Sequence, residues 1–286
     1  MPELPEVESL ARFLQERTTG ETITRTELAA FAALKTFDPP LEQLVGCTVT
    51  GCGRRGKFLL LSADPLWLVL HLARGGWLRW SDELPVGRAK PGKGPLALRV
   101  GFESGAGFDV TEAGTEKRLA AYVVRSPDDL DNVARLGPDP LDPDFGPSEL
   151  GASLRAHGGQ LKIALTTQSV VAGVGNAYSD EALHAAKLSP FKNAAKLNDA
   201  EVAGLHAALV GILTDAVARS AGLPAAGLKS EKKSGLRVHG RTGQPCPVCG
   251  DTIREVSFAT KSLQYCATCQ TGGKPLADRR LSRLLK

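Results

Sequence analysis

No apolar run in this chain approaches the roughly 20 residues that span a bilayer. Its opening, MPELPEVESL, also lacks the basic end and hydrophobic stretch of a secretory signal. The sequence therefore predicts a cytoplasmic protein with no membrane partner. No internal repeat recurs along it. The composition is not that of a disordered chain either: with 42% hydrophobic residues over 286 positions, it can bury a core in one large or two to three modest domains.

Charge is nearly balanced, at a formal +4, but it is unevenly spread. Residues 229–286 hold 12 Lys and Arg against 4 Asp and Glu, leaving 23 against 27 for residues 1–228. A body of net −4 joined to a segment of net +8 is polarised, and a localised basic face is the usual footprint of a polyanionic partner. A solvated, solubilising tail is the alternative. Only six cysteines occur, and four of them form CPVCG (246–250) and YCATCQ (265–270), two C-x2-C pairs separated by 16 residues. Each pair lets two sulfurs converge on one tetrahedral ion, and the residues between can form a two-stranded hairpin, so Cys246, Cys249, Cys266 and Cys269 read as a four-thiolate zinc site. Two disulfides are a poor alternative in a reducing compartment. Cys47 and Cys52 have no such geometry and read as ordinary strand or buried thiols.

Residues 5–18 place Val7, Leu10, Ala11, Phe13 and Leu14 at helical spacing, with Gly20 as a stop. From about 22 to 125 the texture is β-rich, in runs such as KFLLLS, LWLVLHL and LALRVGF divided by turn signals. A mostly antiparallel sandwich is expected, with 82–95 as a long exposed connection. LGPDPLDPDFGPS (136–148), with four prolines in 13 residues, marks a linker. Helical spacing returns at 148–157, 160–168, 177–186 and 199–221, and AGLPAAGLKSEKKSG (221–235) leads on to the cysteines. The expected fold is α+β and multidomain: a β-sandwich with its leading helix over 1–135, a linker over 136–147, a helical domain over 148–228, a zinc finger over 236–272 and a basic tail over 273–286.

Several residues could carry chemistry. Pro2 follows the initiator methionine, whose trimming would expose a secondary amine. An α-amino group titrates near pH 8 and a lysine near 10.4, so the neutral, nucleophilic fraction is roughly two orders of magnitude larger at the terminus. Attack by such an amine on a sugar C1′ would expel a base, and the resulting iminium would acidify the C2′ proton for strand-breaking elimination. Glu3 beside that amine could relay protons, and Glu6 lies one turn on. Alternatively, Pro and Glu are simply good helix starts. Lys57, in GRRGKFLLL, could neutralise a phosphate or could face solvent as lysines at strand starts usually do. In VAGVGNAYSDE (171–181), Asn176 and nearby backbone N–H groups could bind a phosphate, or Asn176 could merely cap a helix.

Together, PELPEVE, RRGKFLLL, HLARGGWLR, LGPDPL, VAGVGNAYSDEAL, VHGRTGQPCPVCG and YCATCQ resemble the formamidopyrimidine-DNA glycosylase/endonuclease VIII family of base-excision repair enzymes, in order and over nearly the whole chain. The resemblance implies a helix–two-turn–helix module after the sandwich, one structural Zn2+, and damaged DNA as the partner of a monomer without a nucleotide cofactor. It implies glycosylase and abasic-site lyase activity, with Pro2 as Schiff-base nucleophile, Glu3 as general acid/base, Glu6 as auxiliary carboxylate and Lys57 in the catalytic site. Lys162 and Asn176 match phosphate contacts. Lys261 stands where the family has a zinc-hairpin arginine, keeping the charge but losing the bidentate fork. The residues that refill the stack after base flipping differ: Arg74 stands at the methionine position, and TEKRLAAY offers Lys117, Arg118 and Leu119 in place of Arg-Arg-Phe. Three alternatives follow: Arg74 stacks on or bonds to the orphaned base, Leu119 inserts, or the protein acts mainly on unpaired or distorted DNA. The loop that covers a flipped oxidised purine is much shorter here, and Lys274, Arg279, Arg280, Arg283 and Lys286 extend the basic tail. A non-catalytic or lyase-only binder of damaged DNA on the same scaffold is the competing expectation, and a zinc-ribbon regulator the third.

Overall fold

The computed structural model of the protein describes residues 1–87, 94–257 and 262–278. Two compact units emerge, one formed by Met1–Arg135 with Ser220–Ser230, the other by Leu136–Arg219 with Glu231–Lys286.

The first unit opens with helix α1 (Leu4–Thr18), whose residues Leu4, Val7, Leu10, Ala11 and Leu14 recur every three or four positions and are all buried. Eight strands follow: β1 (Ile23–Leu28), β2 (Thr48–Arg55), β3 (Phe58–Asp64), β4 (Leu66–His71), β5 (Gly76–Ser81), β6 (Leu96–Phe102), β7 (Gly107–Glu112) and β8 (Ala120–Val124). They make two antiparallel four-stranded sheets, ordered β1-β6-β7-β5 and β2-β3-β4-β8. One core joins them: Leu59, Leu61, Leu68 and Leu70 of one sheet meet Leu78, Leu98, Val100, Phe108 and Val110 of the other, with α1 packed on β2 and β3. The sandwich is as the β-rich texture predicts. The connection 82–95 lies partly outside the described residues; its described start is tied back through Leu84, whose N–H donates to Gly105 O at 2.9 Å.

A short helix, α2 (Asp131–Ala134), closes the first stretch. The proline-rich segment 136–147 is held by backbone bonds within the second unit, from Gly137 N to Gln168 O (2.8 Å) and from Ala172 N to Pro138 O (3.0 Å). That unit then builds α3 (Pro147–His157), α4 (Leu161–Thr166), α5 (Asn176–Ala185) and α6 (Asp199–Ser220). By length and composition α6 does qualify as a membrane-crossing helix, contrary to the expectation that no such stretch exists. Its buried residues Val202, Leu205, Leu209, Leu213, Ala216 and Val217 nonetheless recur at the amphipathic spacing of a core helix.

Residues 220–228, which the sequence groups with the helical domain, instead cluster with the first unit. Leu223, Ala225 and Leu228 join the sandwich core. The indole N–H of Trp77 on β5 donates to Ala225 O at 2.9 Å, and the Lys229 ammonium sits 4.6 Å above the same ring. The segment read as a plain connection contains a further helix, α7 (Leu228–Gly235). Strands β9 (Ile253–Ser257) and β10 (Ser262–Cys266) form the hairpin expected between the cysteine pairs, and α8 (Ala267–Thr271) follows.

Candidate nucleic-acid interface and metal centre

The start of α1 is a buried carboxylate pair. Glu3, at the N-cap, is 3% exposed and Glu6 is 2% exposed. The backbone N–H of Glu3 donates to Glu6 Oε2 at 2.8 Å, and the Glu3 side chain reciprocates toward the backbone of Glu6 in a capping box. Pro2, itself buried, directly precedes this box. Lys57 is buried, unlike the solvent-facing lysine that a strand start usually offers. It sits in the β2–β3 turn, where Gly56 adopts a φ of 54° that disfavours larger residues. On β4, burial, and then the charge of Lys57, hold the imidazole of His71 below its usual pKa. The basic cluster around Lys57 is largely committed to ion pairs, Arg54 with Glu8 of α1 at 2.8 Å and Arg55 with Asp128.

The structure brings Arg74 beside the loop of Lys117 and Arg118. Gly75 O accepts from Ala113 N at 3.1 Å, and a side chain at Gly75 would meet Ala113 O at 2.2 Å, so this close approach requires glycine. Arg74, Lys117 and Arg118 are all exposed. The expectation that Leu119 inserts into the stack is overturned. Glu112, 3% exposed, accepts the N–H groups of Arg118 (2.8 Å) and Leu119 (3.0 Å), and Leu119 is 2% exposed within the sandwich core. A side chain held there by packing is not available as a wedge.

In the second unit, α5 is the organising element. Gln168 shapes the turn before it, accepting from Gly173 N at 3.0 Å and donating to Val174 O at 2.8 Å. The cap of α5 is Gly175, so Asn176 is the first helical residue rather than the cap, and its amide crosses to Ser262 O at 2.7 Å. Lys162 is buried, with its ammonium 2.7 Å from Asn176 O, 2.8 Å from Ser179 Oγ and 2.5 Å from Asp180 Oδ1. Asp180 also meets His239 Nδ1 at 2.7 Å and accepts from Gln264 N at 3.2 Å. Its neighbour Glu181 accepts three successive backbone N–H groups, from Arg237, Val238 and His239, at 2.8–3.0 Å. Burial pushes the Glu181 carboxyl above its ordinary pKa while those donors oppose the shift. Sequence reading missed Asp180, Glu181 and His239. Two adjacent acids on a predicted helix, with Asp180 coming out fully buried, were the signal available.

The four cysteine sulfurs lie within 4.8 Å of one another, with Cys246–Cys269 at 3.9 Å and Cys249–Cys266 at 3.3 Å. A tetrahedral zinc with sulfurs at about 2.3 Å requires them about 3.8 Å apart, so the set fits the ion with only small shifts. Gly250, at a φ of 77°, turns the first knuckle. The Asp251 backbone N–H draws the Cys249 thiol below its ordinary pKa, and burial drives that of Cys266 up. With all four positions supplied by protein, the zinc here is structural. His184, one turn beyond Asp180 on α5, places Nε2 3.3 Å from Cys246 Sγ. Lys261, Arg279, Arg280, Arg283 and Lys286 lie outside the described residues.

Comparison with known proteins agrees with this architecture. Residues 1–114 match the formamidopyrimidine-DNA glycosylase N-terminal domain, 136–225 its H2TH domain, and 243–272 a zinc finger found in FPG and IleRS. An uncharacterised formamidopyrimidine-DNA glycosylase-like protein of Mycobacterium tuberculosis is 62% identical over 151 residues, covering 53% of this chain and 94% of the relative. A formamidopyrimidine-DNA glycosylase of Desulforamulus reducens is 34% identical over 282 residues, covering 94% of this chain and 99% of the relative. Among solved structures, Lactococcus lactis Fpg in complex with DNA containing an abasic site superposes with a TM-score of 0.82 at 28% identity, over 94% of this chain and 99% of that one. With a sandwich led by a carboxylate-capped helix, a helix–two-turn–helix unit and a four-cysteine hairpin matched in order along most of the chain, this protein belongs to the formamidopyrimidine-DNA glycosylase family.

Proposed function

We propose that the protein is a DNA glycosylase with associated lyase activity, acting on oxidised or abasic nucleotides as a monomer in the cytoplasm, on the nucleoid, without a nucleotide cofactor. The observation that carries this reading is the buried capping box that fixes Glu3 immediately after Pro2. Once Met1 is removed, the Pro2 nitrogen attacks C1′. A C–N bond to the enzyme forms as the bond to the base breaks, and the base departs with a proton that Glu3 relays. Ring opening leaves an iminium, loss of the C2′ proton follows, and the 3′ phosphate leaves. Glu6 positions Glu3 through its backbone N–H, and Lys57 lies in the catalytic site. Arg74, Lys117 and Arg118 face the gap left by the flipped nucleotide, while Asn176 and Lys261 approach phosphates. Lys162 is a phosphate contact with them, and it also anchors α5.

Borohydride reduction in the presence of abasic-site DNA tests the nucleophile. A covalent complex is expected with the trimmed protein and none with an N-terminal extension; trapping that survives the extension assigns the nucleophile to another residue. A lyase-only or non-catalytic binder is the second reading, favoured by the burial of Leu119, which removes one apolar wedge. It predicts a shift in DNA mobility without release of a damaged base.

A further inference from the structure

Three acidic or imidazole side chains of α5 face the zinc finger, and two of them have evident tasks. Asp180 holds Lys162, His239 and the Gln264 N–H, and Glu181 gathers the 237–239 backbone. The third, His184, is 4% exposed, and its Nε2 lies 3.3 Å from Cys246 Sγ. It stands outside the cluster formed by the four sulfurs, so it is not a fifth ligand.

The chemistry of the pair leaves one arrangement. A zinc-bound cysteine is a thiolate with no proton to give, and it can only accept. Two polar atoms in contact need one hydrogen between them, which must then be the imidazole's. Four thiolates around Zn2+ also carry a net charge of −2, and two of them, Cys246 and Cys266, are 3% and 0% exposed. Buried charge of this kind is stabilised by donors aimed at it. We propose that His184 donates its Nε2–H to the Cys246 thiolate as a positioning residue, stabilising the zinc cage and fixing the position of α5 against it. The same helix begins at Asn176, whose carbonyl binds Lys162, so the metal and that anchor are mechanically joined through one element.

Full-length, zinc-loaded protein labelled with 15N-histidine tests this without any change to the site. The chain has five histidines, and the signal absent from a His184→Gln sample assigns His184. The expected spectrum shows a protonated Nε2 at His184 and, with 113Cd in place of zinc, a coupling from the metal through sulfur to that proton. A His184 protonated at Nδ1 with a bare Nε2 overturns the proposal. Chelator-driven zinc release gives a second readout. His184→Phe should release zinc about tenfold faster than the parent protein, and His184→Gln, which retains an N–H donor, should recover much of the difference. Equal rates for all three proteins also overturn it.

Discussion

Replacing Lys162 with methionine probes the network that anchors α5. The Lys162 side chain is 8% exposed and Asp180 is fully buried, so the substitution leaves a carboxylate inside the protein without its ammonium. Removing one member of a buried pair costs about 3–5 kcal/mol, far more than the ~0–1 kcal/mol of a surface pair. With a urea slope of about 2 kcal/mol/M, the midpoint for the second unit should fall by about 2 M. The sequence supplies an internal control: Trp67, Trp77 and Trp80 all lie in the first unit, so tryptophan fluorescence follows that unit alone. The helical circular-dichroism transition should therefore shift while the tryptophan transition stays in place. Adding Asp180→Asn to Lys162→Met removes the carboxylate left without its ammonium while weakening its bond with His239, so the double variant should regain only part of the loss. A helical midpoint that moves by less than about 0.5 M, the scale of a surface pair, would refute the reasoning.

Leu119→Ala should cost about 2–5 kcal/mol by emptying a core position, whereas Arg118→Ala should stay within about 0.5 kcal/mol; equal tryptophan-monitored midpoints for the two would return Leu119 to the surface. Because the folded state holds His71 below its ordinary pKa, the unfolded chain binds the extra proton first. Stability of the first unit should then fall as pH drops below about 6.5, and His71→Asn should flatten that fall in urea titrations read by tryptophan. Burial pushes the Cys52 thiol up to about 12 and also raises Cys47. Zinc-loaded protein should thus take up iodoacetamide slowly at neutral pH, and chelation should open Cys249, exposed and held below its ordinary pKa, to label first by mass spectrometry; fast labelling of Cys52 before chelation would contradict the assignment.

Local signals made the elements legible. Pro5, Val7, Leu10 and Leu14 announce α1, the cysteine spacing announces the metal hairpin, and glycines at 173 and 175 announce the entry to α5. Partners distant in sequence account for the rest. The pairing of Lys162 with Asp180 is not legible locally, because Asp180 comes 18 residues later. Leu119 opens the strand-like run LAAYVVR, and only its match to the family's stack-filling residues suggests insertion; the Glu112 carboxylate that collects the N–H groups of residues 118 and 119 is not announced by the local sequence. The Gly, Pro and Ala texture of 221–227 reads as a spacer, and only the sandwich core that takes up Leu223, Ala225 and Leu228 makes it structure. His184 sits within a helical pattern that gives no hint of the sulfur 62 residues away.

The passage of 220–230 back into the sandwich means that this protein's folding borders and its inherited borders do not coincide. Family domains are matched over 1–114 and 136–225, yet a gene fragment ending at 135 would encode a sandwich whose Trp77 indole has lost its acceptor and whose core lacks Leu228. The strap is a keystone supplied late in translation, so the sandwich reaches its finished form only after the ribosome has already made the helices that come before it.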